Sequence, residues 1–178
     1  MSRILQVALL GNPVLRECAD TVSDLSDRSI QVLIDDLFAT MSEVSAVGLA
    51  APQVYVSVRI FVMRSRKGPL FPNAPDVPPM EVINPEVLSQ SEVQDQAWES
   101  CYSMPGYKAL ITRPFKIFAR WQNRQGEVVE RELNDLAARV FLHELDHLDG
   151  KMFLDRMDSL SDLYADREMT RIREGEGK

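Results

Sequence analysis

The sequence predicts an α+β fold in which antiparallel sheets pack around a central helix. An N-terminal amphipathic helix over residues 27–44 is predicted by apolar side chains at helical spacing. Several later segments have the alternating, β-branched composition of strands and are joined by short turns. A further helix over residues 135–149 carries the motif HELDH. We expect one domain over residues 1–158, followed by a partly helical tail over residues 159–178.

The first half of the chain is predicted to run from helix to sheet. The apolar face of the first helix comprises Ile30, Leu33, Ile34, Leu37, Phe38, Met41 and Val44. The segment that follows is rich in small residues, and residues 54–64 (VYVSVRIFVMR) alternate as a strand does. Residues 68–79 hold half of the ten prolines, so we expect a surface loop there.

The second half is predicted to complete an antiparallel sheet and then form the helix that carries HELDH. Strands are predicted at residues 80–88, 108–113 and 115–121, and in the segment EVVEREL that follows the turn at residues 123–126. Asn134 is placed to cap the helix that follows. Gly150 stands where a left-handed residue commonly ends a helix.

The charge balance narrows the classes of partner. Lys and Arg total 20 against 27 Asp and Glu, which gives a net charge of −7. This acidic excess argues against DNA and against an anionic membrane surface as partners.

The apolar run near the start of the chain is far shorter than the roughly 20 residues of a membrane span. The two cysteines provide no disulfide framework, so we expect a cytoplasmic protein.

Both histidines of the chain lie in HELDH, at positions 143 and 147. Four residues advance a helix by about 400°, so the imidazoles of His143 and His147 point the same way and can hold one ion. Glu144 is turned by about 100° from His143 and would face the open position of that ion. A carboxylate there can take a proton from an attacking water and deliver it to a leaving nitrogen, as metal-assisted hydrolysis requires.

The third ligand of such an ion distinguishes classes of hydrolase. The metzincin pattern would need a histidine where this chain has Phe153, so that class is excluded. A thermolysin-like protease would use a later glutamate such as Glu168, which lies in a mixed-charge tail typical of a solvated helix face. Cys101, in the small and polar stretch WESCYSMPG, offers a thiolate and is the better candidate. Cys18 lacks such a setting, and we expect a buried or peripheral thiol.

Three motifs, in this order along the chain, resemble those of peptide deformylases. AVGLAAPQ (46–53) resembles the family pattern GxGLAAxQ, ESCYS (99–103) resembles EGCLS, and HELDH (143–147) matches HExDH. The resemblance extends from GNPVLR (11–16) to GKMFLDRM (150–157). It implies a deformylase-like catalytic domain that removes the N-formyl group from the N-terminal formylmethionine of nascent polypeptides and releases formate.

Functional roles follow from the resemblance, residue by residue. The implied metal ligands are Cys101, His143 and His147. Glu144 is the implied general acid and base, and the side-chain amide of Gln53 and the backbone N–H of Tyr102 are the implied donors to the oxyanion. A tetrahedral oxyanion needs such donors placed in advance, and an uncharged Gln does not compete with the metal.

A substrate pocket is expected on the same helix. Leu136 and Val140 precede His143 by seven and three residues on its face, so they form an apolar wall beside the metal. The resemblance places the methionine side chain against this wall and against Val47. It places the substrate backbone near Gly48 and Ser100.

The role of Asp146 stays open at this point. It would orient a metal ligand, pair with Arg113, or lie exposed on the helix.

The resemblance also implies a cofactor and partners. The cofactor is one divalent metal ion, Fe²⁺ in the native enzyme, with Zn²⁺, Ni²⁺ or Co²⁺ also accepted. A cysteine with two histidines suits all of these ions. The implied partners are N-formylmethionyl nascent peptides. Transient contact with the ribosome stays open at this point.

The chain departs from the family pattern around the expected cleft. Ala46 and Ser100 stand where the family has glycine, Tyr102 replaces a usual leucine, and Gly106 stands where many bacterial relatives have glutamate. A Cβ at a glycine position costs about 1 kcal/mol where φ is positive, and it crowds an extended substrate. Two alternatives therefore stay open: a divergent relative with weak activity or another N-acyl substrate, and a non-catalytic metal-binding protein.

Overall fold

A computed structural model describes residues 2–69 and 71–173 of the chain. The helices in this part of the chain are α1 (Arg28–Glu43), α2 (Asp135–Leu148) and α3 (Asp166–Arg173). The strands are β1 (Gly48–Ala50), β2 (Ile60–Ser65), β3 (Val77–Gln90), β4 (Gln94–Cys101), β5 (Met104–Pro114), β6 (Lys116–Gln122), β7 (Val128–Asn134) and β8 (Leu163–Ala165). None of the helices described is long and apolar enough to cross a membrane.

The strands form two antiparallel sheets. The larger sheet has the order β1-β2-β3-β6-β7, and the smaller one has the order β4-β5-β8. The predicted α+β class with antiparallel sheets is confirmed.

Strand β2 separates two hydrophobic cores because its side chains alternate between the faces of the larger sheet. On one face, Ile60 and Val62 share a core with Ile34, Leu37 and Met41 of α1. On the other face, Phe61 and Met63 share a core with Ala137, Ala138 and Phe141 of α2. The rings of Phe61 and Phe141 meet edge to face, with centroids 5.2 Å apart.

Helix α2 also reaches the smaller sheet. The guanidinium of Arg139 donates a hydrogen bond to the carbonyl of Ile111 in β5, at 2.9 Å. A third core lies beneath the smaller sheet and includes Cys101, Ile111 and Phe153. Helix α2 is therefore the central helix that the sequence predicts, with a sheet on either side.

The predicted first helix is confirmed as α1. The prediction that a left-handed residue ends the second helix is also confirmed, because Gly150 after α2 has a φ of +69°. Asn134 stands at the N-cap of α2, but its side chain makes no capping hydrogen bond. The strand predicted over residues 54–64 is wrong in its first half. Tyr55 has a φ of +65° and ends a short 3₁₀ turn, so β2 begins only at Ile60.

The proline-rich segment and the tail also differ from prediction at their edges. Strand β3 already begins at Val77, so the expected loop is shorter. Pro78 and Pro79 fit into the strand because they lie where its register against β2 shifts and ladder bonds are interrupted. In the tail, the predicted helix corresponds to α3. The three-residue strand β8 was not predicted. Residues 174–178 of the predicted tail lie outside the described residues.

Candidate active site

Three potential metal ligands converge where β4 ends against α2. The Sγ atom of Cys101 lies 3.2 Å from Nε2 of His147, and the ligand atoms of Cys101, His143 and His147 all lie within 4.8 Å of one another. Cys101 is the last residue of β4, whereas both histidines lie one helical turn apart on α2. The fold therefore brings the three sequence-predicted ligands to one point.

Proton affinities in this group are strongly shifted. Burial alone would raise the pKa of the Cys101 thiol, but the neighbouring imidazoles of His147 and His143 hold it well below its usual range. The pKa of His143 is raised well above its usual range, because the Cys101 thiolate and Glu99 outweigh the effect of burial. A thiolate and two imidazoles held this close fit a divalent transition-metal ion, whose charge takes the place of the protons.

The positions of the third ligand in the two other hydrolase classes do not contribute a ligand atom here. The ring of Phe153 stacks on that of His143, with centroids 6.2 Å apart, so it packs against a ligand. Glu168 is exposed on α3 and pairs with Arg171, as expected of a solvated helix face. Cys18 is exposed, which agrees with a peripheral thiol.

Glu99 is a site residue that the sequence analysis missed. One carboxylate oxygen, Oε2, lies 2.9 Å from Nδ1 of His143, and accepting its proton directs Nε2 toward Cys101. Arg113 donates to both oxygens of the carboxylate at 2.6 and 3.0 Å, and Arg139 donates to one at 2.8 Å. Burial alone would raise the pKa of Glu99, but its contacts with His143 and Arg113 outweigh burial and lower it. The signal in the sequence that could have identified Glu99 is the two-residue period of a strand, which puts residues 99 and 101 on one face of β4.

Asp146 joins the same charge network. Nη1 of Arg113 donates to Oδ2 of Asp146 at 2.9 Å, and the guanidinium of Arg156 binds the same carboxylate. Asp146 is buried, so the exposed alternative is wrong and the pairing with Arg113 is correct. Arg113 thus links β4, through Glu99, to the helix that carries both histidines.

Glu144 is buried beside the three ligands. Burial raises the pKa of its carboxyl group to about 7, although the neighbouring imidazoles oppose the shift. Its Oε2 atom accepts no hydrogen bond from any residue that the structure describes. A carboxyl group that titrates near neutral pH, and that has one oxygen without a hydrogen bond from the described residues, is suited to exchange protons with a bound reactant.

Gln53 has a fixed orientation. Its Oε1 atom accepts a hydrogen bond from the backbone N–H of Ala50 at 2.8 Å. The amide nitrogen is therefore turned toward the site, where it lies 3.5 Å from Sγ of Cys101 and 3.2 Å from Oγ of Ser103. Ser103 is completely buried, and it is a second neighbour that the sequence analysis missed.

A cleft of about 660 Å³ leads to this group of residues. Each sequence-predicted substrate-binding residue lines it: Val47, Gly48, Ser100, Leu136 and Val140. The cleft is also lined by Tyr102, whose side chain is half exposed. The predicted methionine wall therefore shares one cavity with two of the potential ligands, Cys101 and His143.

The departures from the family glycines cause no backbone strain. The non-glycine residues with positive φ in the described chain are Ser45, Tyr55, Asn84 and Asp135, so neither Ala46 nor Ser100 is among them. The strain expected for a Cβ at these positions is absent, and only crowding of the cleft remains as an effect. Gly106, by contrast, has a φ of +83°, a conformation that favours glycine over the usual glutamate.

Comparison with known proteins identifies relatives over most of the chain. The polypeptide deformylase family matches residues 4–162. Peptide deformylase 2 of Nostoc sp. is 41% identical over 165 residues, which cover 93% of this chain and 92% of the relative. Peptide deformylase of Thermotoga maritima is 38% identical over 167 residues, which cover 94% of this chain and 95% of the relative.

Solved structures of deformylases have the same fold. The class I type b peptide deformylase from Acinetobacter baumannii, in a crystal structure bound to Met-Ala-Ser, has a TM-score of 0.84 at 36% identity and covers 88% of this chain and 100% of that one. The crystal structure of the Thermotoga maritima enzyme has a TM-score of 0.79 at 39% identity and covers 88% and 99%.

Sequence and structure therefore lead to one family by separate routes. The family match extends from the segment before α1 to the segment after α2, and it includes the three potential ligands and Glu144. The chain belongs to the polypeptide deformylase family and is a metal-dependent hydrolase that removes the N-formyl group from nascent polypeptides.

Proposed function

We propose that the cleft is the deformylase active site and that Cys101, His143 and His147 hold its metal ion. The observation that carries this proposal is the convergence of their ligand atoms within 4.8 Å, beside the buried carboxyl group of Glu144. A metal-binding protein without catalysis would have no need for a carboxyl group with a pKa near 7 at that place.

When bound, the ion supplies Lewis-acid activation of water and of the formyl carbonyl. Glu144 accepts the proton of the attacking water and transfers it to the peptide nitrogen as formate leaves. The raised pKa suits both halves of this transfer, because such a carboxyl group is deprotonated often enough to accept a proton and acidic enough to return it.

Gln53 and Tyr102 stabilise the developing oxyanion. The hydrogen bond from Ala50 fixes the amide of Gln53, so its N–H₂ group requires no reorganisation during the reaction. The backbone N–H of Tyr102, next to Cys101, is the second donor. Removing one donor of this kind typically costs on the order of a hundredfold in kcat.

The methionine side chain of the substrate occupies the apolar wall of the cleft. Leu136 and Val140 of α2 line the cleft together with Val47. The peptide backbone pairs with the edges of β1 at Gly48 and of β4 at Ser100, since both strands stand at the free edge of their sheets.

Fe²⁺ is the native ion in this proposal, with Zn²⁺, Ni²⁺ or Co²⁺ as substitutes, because a thiolate with two imidazoles accepts each of these ions. The enzyme acts in the cytoplasm on peptides emerging from the ribosome, which it contacts transiently.

Formate release tests the function directly. The protein is purified without oxygen, its metal content is measured, and formyl-Met-Ala-Ser is supplied as substrate. We expect one equivalent of a divalent transition metal and turnover that ends when a chelator removes it. A chain that holds one metal ion but releases no formate would instead be a non-catalytic metal-binding protein.

A further inference from the structure

Two exposed basic residues lie at the rim of the cleft. Arg66 and Lys67 follow the end of β2 and line the same cavity as Cys101 and His143. In the part of the chain that the structure describes, neither side chain forms an ion pair or a hydrogen bond. Their positive charge is opposite in sign to the net charge of −7 that the chain as a whole carries.

The acidic groups of the cleft do not neutralise these cations. Glu99 is held between two arginines, and Asp166 pairs with Lys108 at 3.3 Å. Glu144 lies deep in the cleft among the histidines. The rim around Arg66 and Lys67 therefore has an uncompensated positive charge close to the path of a substrate.

The backbone fixes where this positive charge lies relative to Glu144, the proposed acid and base. Gly48 is next to Glu144, and the chain leads from there through Val47 toward the rim. Arg64 ties the end of β2 to that segment, because its backbone N–H donates to the carbonyl of Val47 at 2.8 Å and its Nε donates to that of Ala46 at 3.1 Å. Arg66 and Lys67 follow Arg64 by two and three residues, so they lie at the outer end of the segment formed by residues 46–48.

An extended peptide rises by roughly 3.3 Å per residue. A substrate that has its first residue beside Gly48 and extends along residues 46–48 thus brings its third residue to the outer end of that segment. We propose that Arg66 and Lys67 bind a carboxylate side chain there, so that the enzyme prefers formylmethionyl peptides with Asp or Glu as the third residue. This inference rests on the proposed function and adds a specificity for charge.

The test compares amidated peptides, so that a terminal carboxylate cannot take the place of the side chain. Formyl-Met-Ala-Glu-NH₂ is measured against the same peptides with Gln or Lys in third place. We expect kcat/KM to be about threefold to tenfold higher for Glu than for Gln, mostly through KM, and lowest for Lys. The preference decreases in about 0.5 M salt, because exposed charges are screened.

Matched variants assign the effect to the basic pair. Arg66→Gln with Lys67→Gln should abolish the preference for Glu. Arg131→Gln with Lys151→Gln makes the same change in net charge at two exposed residues outside the cleft, and should preserve it. Equal kcat/KM for the Glu and Gln peptides in the unmodified enzyme overturns the inference, as does a preference that survives loss of Arg66 and Lys67.

Binding of the deformylated peptides separates this inference from the proposed function. Calorimetry with Met-Ala-Glu-NH₂ and Met-Ala-Gln-NH₂ requires no turnover. If no peptide releases formate, the proposed function fails, and the ratio of the two affinities still decides whether the basic pair recognises a carboxylate.

Discussion

A Cβ atom on Gly48 would stand 2.3 Å from Oε1 of Glu144, closer than two nonbonded atoms can approach. The φ of Gly48 lies outside the positive region, so it is space and not backbone conformation that requires glycine here. The edge of β1 therefore forms one wall around the carboxyl group that we propose as the acid and base.

Gly48→Ala should preserve the fold and impair catalysis. Glu144 can rotate away from a new methyl group, but it then leaves the position from which it exchanges protons. We expect kcat to fall roughly tenfold to a hundredfold, because a displacement of about 1 Å has effects of that size, while metal content is retained. Steady-state kinetics and metal analysis measure both effects.

Gly68→Ala is the matched control, since a Cβ there meets no atom of the described residues within 4 Å and φ is not positive. Its kcat should stay close to that of the parent. If Gly48→Ala also retains full kcat, the contact with Glu144 has no bearing on catalysis.

Glu144→Gln should separate metal binding from proton transfer. The amide has the same shape as the carboxyl group but cannot accept the proton of water, so we expect kcat to fall at least about a hundredfold. Metal content should stay at that of the parent. Near-normal turnover in this variant would contradict the proposed role of Glu144.

Cys101→Ser should lose most of the metal, because a neutral hydroxyl replaces neither the charge nor the softness of a thiolate. Cys18→Ser is the control, since the exposed Cys18 lies away from the histidines and should keep the metal. Metal analysis after gel filtration compares the two. Retention of one ion per chain by both variants would show that the ligand assignment is wrong.

Glu99→Gln should weaken both the fold and the metal site. It leaves the buried guanidinium groups of Arg113 and Arg139 without a full countercharge, a loss of about 3 kcal/mol in the free energy of unfolding. It also weakens the hydrogen bond that orients His143, which should lower metal affinity about tenfold to a hundredfold. Denaturant unfolding of the metal-free protein and a metal-competition titration measure the two effects separately.

Glu86→Gln provides the comparison, because Glu86 pairs with Arg120 on the exposed surface. Its loss should change the free energy of unfolding by less than about 1 kcal/mol. Equal effects of the two substitutions would mean that burial of the Glu99 network adds nothing to stability.

The convergence of the histidines could be predicted because the helical repeat alone determines it. His143 and His147 are four residues apart, and no knowledge of the remaining fold is needed to place them on one face. Glu99, Arg113 and Arg139 come from β4, β5 and α2, so their contacts depend on how the smaller sheet meets the helix. A single sequence contains no local signal for such pairings.

The errors in the strands have a similar origin. Val54, Val56 and Val58 alternate as in a strand, but they do so because they pack into the core beside α1. Tyr55 turns the chain before β2 begins. Burial and strand formation favour the same residue types. Strand β8 is only three residues long, so its pairing with β5 leaves no periodic pattern in the sequence.

The proposed ligands come from two layers of the fold, with the thiolate on the smaller sheet and the imidazoles on the helix that covers the larger one. An ion shared between them acts as a cross-link between segments that are far apart in the chain. Ligands that bind only the folded state stabilise it by about 2.7 kcal/mol at a hundredfold excess over Kd. The melting temperature should therefore follow the free metal concentration, and metal scarcity would reduce the amount of folded protein as well as the rate of deformylation.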